Sequence, residues 1–154
     1  MRGSIDLVAN TVVRAAALRS RTLKGLVLAV EGSSPQLNLV IDTIPMLAHS
    51  LRIHHLDLTD GATLAEHMDR EFHPASHADR VRTWLDPAYR DDLVLITGIS
   101  GLRVEDADLL FGAVRRGYET SPTVVLFGYY GLVRDLCSLG WSEDHDFTAL
   151  EIDD

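Results

Sequence analysis

The chain has 154 residues, 46% hydrophobic and 24% charged, with a net charge of −9, a balance that excludes a disordered or fibrous protein. Its length fits one domain over residues 1–154, large enough to bury a core, and the lone Cys137 excludes an intrachain disulfide or a cysteine metal cage. No apolar stretch approaches the ~20 residues a membrane span needs, and Met1-Arg2-Gly3-Ser4 lacks the apolar region of a signal peptide. The expectation is a soluble, cytoplasmic protein whose first four residues are compatible with a vector remnant.

Taken in order, Ser4 caps a helix expected over 5–20, with Leu7, Val8, Val12, Ala15, Ala16 and Leu18 giving an apolar side. Residues 25–30 are short, continuous and Val/Leu-rich, which predicts a buried strand. Ser34-Pro35 then starts a helix running to about residue 51 and bending at Pro45. Residues 53–58 predict a more polar strand near a sheet edge, followed by a turn at 59–61 and a helix over 62–72. The sequence at 73–76 breaks that helix, and a short one follows over 77–85. Strands are expected over 92–97, 123–127 and 147–152, with helices over 105–118 and 132–139. Alternating strands and helices with apolar central strands predict a three-layer α/β/α fold around a mainly parallel sheet of about five strands. Sites in such sheets lie beyond the carboxyl ends of the strands, so the loops at 31–35, 59–61, 97–101 and 128–131 are the candidates.

The charge is unevenly spread. Residues 1–24 carry Arg2, Arg14, Arg19, Arg21 and Lys24 against Asp6 alone, a basic N-terminal helix. Residues 141–154 carry Glu143, Asp144, Asp146, Glu151, Asp153 and Asp154 with no basic residue. This acidic tail either keeps the chain soluble or docks a basic partner surface, and the overall charge disfavours direct nucleic-acid binding.

The strand–turn–helix around Glu31-Gly32-Ser33-Ser34-Pro35-Gln36-Leu37-Asn38-Leu39 is the setting of a P-loop, G-x-x-x-x-G-K-[ST]. Aligned from Gly32, however, the second glycine is Leu37, the lysine Asn38 and the hydroxyl Leu39. The chain's one lysine, Lys24, precedes the strand. A working loop wraps phosphate in backbone N–H groups and offsets its charge with lysine; here Pro35 removes a donor and Glu31 repels. Gly32, Ser33 and Ser34 at the helix start remain the candidates for weak anion or nucleotide binding, beside a purely structural turn. The strand over 92–97 stands where a Walker B strand would, yet ends in Thr97 without a carboxylate, while Asp91 and Asp92 lie at its opposite end.

With these parts in this order, and a sensor-like strand over 123–127, the chain resembles the core of AAA+ or RecA-type P-loop proteins. Its length and layout are similar to the small P-loop protein of BREX phage-defence systems. The resemblance implies an accessory subunit of a larger complex, while the missing lysine and carboxylate argue against inherited ATP hydrolysis. A response-regulator receiver shares the architecture but fails on chemistry: Glu31 stands alone, Thr97 replaces the phosphorylated aspartate, and no late lysine exists.

Three further groups remain. His67, Asp69, Glu71, His73 and His77, with His54, His55 and Asp57 near in sequence, carry the ligand types of a zinc or iron site. Helical spacing brings together only His67 and Glu71, so a solvated helix end is the competing reading and no metal is assigned. Phe127-Gly128-Tyr129-Tyr130-Gly131, with Trp141, is read either as a contact patch or as ordinary packing. Cys137 is read as a buried thiol.

The expected function is therefore a non-catalytic accessory or regulatory subunit with no cofactor, acting through protein partners or as a homo-oligomer. The alternatives are a small metal-dependent hydrolase built on residues 67–77, or an NTPase completed by a partner subunit.

Overall fold

A computed structural model describes residues 1–22, 26–72, 91–99, 104–106, 109 and 122–153, and among these residues six parallel strands and four helices are delimited. In chain order these are β1 (Arg2–Gly3), α1 (Ile5–Thr22), β2 (Leu26–Glu31), α2 (Ser34–Leu47), β3 (Ile53–Asp57), a 3-10 turn (Leu58–Asp60) and α3 (Leu64–Phe72). Then follow β4 (Leu93–Thr97), β5 (Thr123–Gly128), α4 (Leu132–Ser138) and β6 (Thr148–Ile152). The sheet order is β1-β6-β2-β5-β4-β3. The helix expected over 77–85 and the break at 73–76 lie outside the described residues, and of the one over 105–118 only 104–106 and 109 are described, as helical.

Alternation along the central strands produces two cores. Val27, Ala29, Val94, Ile96, Val124 and Leu126 face α3 and α4. Leu28, Val30, Leu93, Leu95, Val125 and Phe127 face α1 and α2. A strand buried on both faces must be apolar at every position, which is why β4 and β5 read as uninterrupted hydrophobic runs. The helices supply matching stripes: Val8 and Val12 on α1, Leu37, Val40 and Ile44 on α2, Leu64, Met68 and Phe72 on α3, and Leu132 and Leu136 on α4.

Local signals set the helix starts. The Leu7 amide donates to the Ser4 hydroxyl at 3.2 Å at the head of α1. At α2 Ser33 and Gln36 form a capping box, with the Ser33 amide donating to Gln36 Oε1 at 2.9 Å. α2 ends at Leu47, four residues short of expectation; Pro45, in its last turn, cannot donate to the Ile41 carbonyl, and the helix stops two residues later. None of the described helices is long and apolar enough to cross a membrane.

The first residues are more ordered than the sequence predicts. Arg2 and Gly3 form a parallel strand against Glu151 and Ile152 of β6, so the first residues belong to the sheet. The strand expected over 147–152 in the acidic segment is β6, at 148–152, and it lies between β1 and β2. The two charge blocks meet where Arg2 pairs with Asp153 at 2.8 Å. Trp141, read either as part of a contact patch or as ordinary packing, is 7% exposed and packs in the core beneath α4. Cys137, expected to be buried, is exposed because Leu132 and Leu136 already occupy the inward stripe of α4.

At the foot of β5 the Thr123 hydroxyl is fully buried and has no hydrogen-bond partner among the described residues. Thr123→Val removes this unsatisfied group at nearly constant volume, so stability is expected to be unchanged or higher by about 1 kcal/mol. A urea-denaturation loss greater than about 1 kcal/mol would contradict this account of the site.

Candidate functional site

β2 and β5 are paired in parallel over six residues, from Leu26 with Thr123 to Glu31 with Gly128. Beyond them the chain diverges, β2 leading to α2 on one face and β5 to α4 on the other. Such a divergence opens a crevice at the carboxyl ends of the strands. Gly32, Ser33 and Ser34 lie on one side of it and residues 128–131 on the other.

The chain's own polar groups occupy this crevice. The Gly32 amide donates to the Gly128 carbonyl at 3.2 Å. Ser33 and Gln36 bond each other through the capping box, and Gln36 Nε2 reaches the Asp153 carbonyl at 2.7 Å. Tyr130 donates its hydroxyl to the Ile152 carbonyl at 3.3 Å, so the turn, the aromatic loop and the last strand are tied together. A Cβ on Gly32 would lie 2.9 Å from Ile152 Cδ1, so the glycine permits close packing against β6.

Glu31 has a role that the sequence alone did not reveal. Its Oε1 accepts from the Val133 amide at 2.7 Å and its Oε2 from the Gly131 amide at 3.3 Å. Gly131 begins α4 and has no side chain to cap it, so a carboxylate from β2 does so across the crevice.

Beside the crevice an open cavity of about 720 Å³ extends beyond β3, β4 and β5. All four loops predicted from strand direction contribute to it, through Ser34, Thr59, Thr97 and Tyr129 among others. α2 closes one side with Leu37, Asn38, Ile41 and Asp42, and β3 adds His55 and Asp57. Period-two alternation sends His54 and Leu56 towards α3 and leaves His55 and Asp57 on the cavity side.

His55 Nε2 lies 2.8 Å from Thr97 Oγ1. Asp57, which pairs in register with Thr97, accepts from the Thr59 hydroxyl at 2.8 Å and the Thr59 amide at 3.1 Å. These Thr59 bonds come first in holding the Asp57 carboxyl below its ordinary 3.8, with charge at His55 and a bond from Thr97 adding to the effect. The Thr97 hydroxyl can thus accept from His55 while donating to Asp57. β4 ends without a carboxylate of its own, but the neighbouring strand places one beside it. Gly98 allows the turn at this point: its φ is +72°, and a Cβ there would lie 2.6 Å from the Thr59 backbone nitrogen.

The histidine-rich segment does not converge. His67 Nε2 lies 2.9 Å from Asp60 Oδ1, and Asp60 is pulled down to about 2 chiefly by the Ala62 amide and then by His67. Glu71 turns the other way, its Oε1 lying 2.7 Å from His54 Nδ1, while His54 Nε2 lies 2.6 Å from the buried Asp92. Arg52 joins this cluster through Asp92 at 2.7 Å. His54 is thus held by a carboxylate at each ring nitrogen. His73 and His77 lie outside the described residues, and among the described residues no three His, Cys, Asp or Glu side chains gather to hold a metal.

No known protein-family profile matches the chain, and no curated protein resembles it at significant sequence similarity.

Removing the Glu31 carboxylate should loosen the start of α4. Glu31→Ala is expected to cost about 1–2 kcal/mol in chemical denaturation and Glu31→Gln less, since an amide oxygen can still accept one of the two bonds. Equal stability of wild type and Glu31→Ala would rule out the cap. A second expectation concerns acid. The folded pKa of Asp57 lies below the unfolded value, so its stabilisation is present above about pH 4 and fades as pH falls through the folded pKa. Asp57→Asn should therefore be less stable than wild type at pH 6, by under about 1 kcal/mol because the side chain is exposed. Urea titrations at decreasing pH should show that gap closing; a gap that widens in acid would refute the assignment.

Proposed function

We propose that this chain is a non-catalytic accessory or regulatory subunit on a degenerate P-loop NTPase-like scaffold, acting through protein contacts. The observation that carries the reading is the internal use of the turn's donors. The Gly32 amide is bonded to Gly128, the Ser33 amide to Gln36 and the Gln36 amide to Ser33, while Pro35 has none. Of residues 32–36 this leaves the Ser34 amide for an anion, against the several N–H groups and the lysine that a phosphate cradle uses.

The strand arrangement supports the scaffold part of the reading. β5 stands between β2 and β4, the place of a sensor strand between P-loop and Walker B strands in the AAA+ and RecA-type class. The resemblance to a BREX phage-defence component makes such a complex the proposed setting. Contact through the aromatic loop is supported by Tyr129, 63% exposed at the crevice, and contact through α2 by Leu39 and Met46, 52% and 69% exposed on its outer side.

Calorimetric titration with Mg·ATP and Mg·GTP tests the reading. No saturable heat is expected with wild-type protein, and Asn38→Ala should stay within about 1 kcal/mol of its stability. Micromolar nucleotide binding that Asn38→Ala weakens would sink the proposal, because the loop would then hold phosphate despite its missing lysine.

A further inference from the structure

We infer that the cavity beyond β3, β4 and β5 is a binding site for a small organic cation, a protonated amine carried on an apolar body. The inference goes beyond the reading of the 31–36 turn and does not rest on it, since it uses different groups on the other side of α2's first turns.

The lining determines the ligand class. Leu37, Ile41 and Phe127 offer apolar surface for a hydrocarbon or aromatic body. Asp42 and Asp57 bring two carboxylates to the same cavity, and no lysine or arginine lines it among the described residues. Asp57 is held in its charged form by Thr59, and the exposed Asp42 carboxylate has no partner among the described residues. Two carboxylates, with no lysine or arginine among the described lining residues, attract a cation and repel phosphate, and the net charge of −9 acts in the same direction. At the rim the exposed Tyr129 can turn an aromatic face to an ammonium group.

Other occupants fit less well. Among the described residues no group of three His, Cys, Asp or Glu side chains is placed to hold a metal ion, and a bare ion would leave the apolar wall unused. A neutral alcohol could donate to the carboxylates but would gain no charge attraction.

Three probes with one body and different heads separate these cases: phenethylammonium, 2-phenylethanol and phenylacetate, each titrated into 15N-labelled protein. Phenethylammonium should shift the amide resonances of His55, Thr97 and Gly98 and bind at least about tenfold tighter than the alcohol, with no saturable shifts from phenylacetate. Asp42→Asn and Asp57→Asn should each weaken the cation about tenfold. Asp42 is exposed and unbonded, and asparagine at 57 keeps an acceptor for Thr59, so both variants should fold. The inference is overturned if the alcohol or the anion binds as tightly as the cation. It is equally overturned if no probe shifts these resonances at millimolar concentration, or if both variants bind like wild type.

Discussion

The parallel pairing of β2 with β5 is the constraint on which the rest depends. It joins the two ends of the sheet, since β6 and β1 attach through β2 while β4 and β3 attach through β5. It also brings Glu31 level with Gly128, at the point where the chain leaves one strand for α2 and the other for α4. Any other neighbour for β2 would separate Glu31 from the amides of Gly131 and Val133. The cap on α4, the closed turn at 31–36 and the cavity beside it all follow from that one register.

Polar side chains near the strand ends are used in distinct ways on either side of this pairing. At the crevice they are consumed: Glu31, Ser33, Gln36 and Tyr130 bond backbone groups or one another. At the foot of β4, Asp92 and His54 are buried with Arg52 and Glu71 at the rim, an arrangement in which desolvation offsets much of the attraction and the gain is in fixing geometry. In the cavity the polar groups are only partly bonded. Asp57 spends Oδ1 on Thr59, while Asp42 has no partner among the described residues. The contrast between satisfied and unsatisfied groups is what separates scaffold from candidate site.

The P-loop setting is instructive because the same residues carry opposite expectations at the two levels. Read along the chain, Glu31 is a repulsive charge beside a failed phosphate loop. In three dimensions its charge faces the start of a helix, where a carboxylate is stabilised by amides and by the aligned peptide dipoles. Thr97 likewise reads as a missing carboxylate, yet register with β3 places Asp57 next to it. In each case the missing partner comes from a strand or helix remote in sequence.

The sequence by itself determined the local elements and the direction of the strands, because both depend on short-range patterns. Continuous apolar runs at β4 and β5 announced burial on two faces, the polar β3 announced an edge, and Ser34-Pro35 announced the start of α2, whose cap proves to be Ser33, one residue earlier. Strand direction then named the loops that line the cavity. Only the tertiary structure decided which strands are neighbours, that residues 2 and 3 pair with β6, that Trp141 is core and Cys137 is not, and that His67 and Glu71 point to different partners. Those outcomes depend on side chains meeting across tens of residues, with Glu31 reaching Val133 and His55 reaching Thr97. No periodicity or spacing within one segment encodes such distances, because the energy that selects them comes from burying the whole sheet at once.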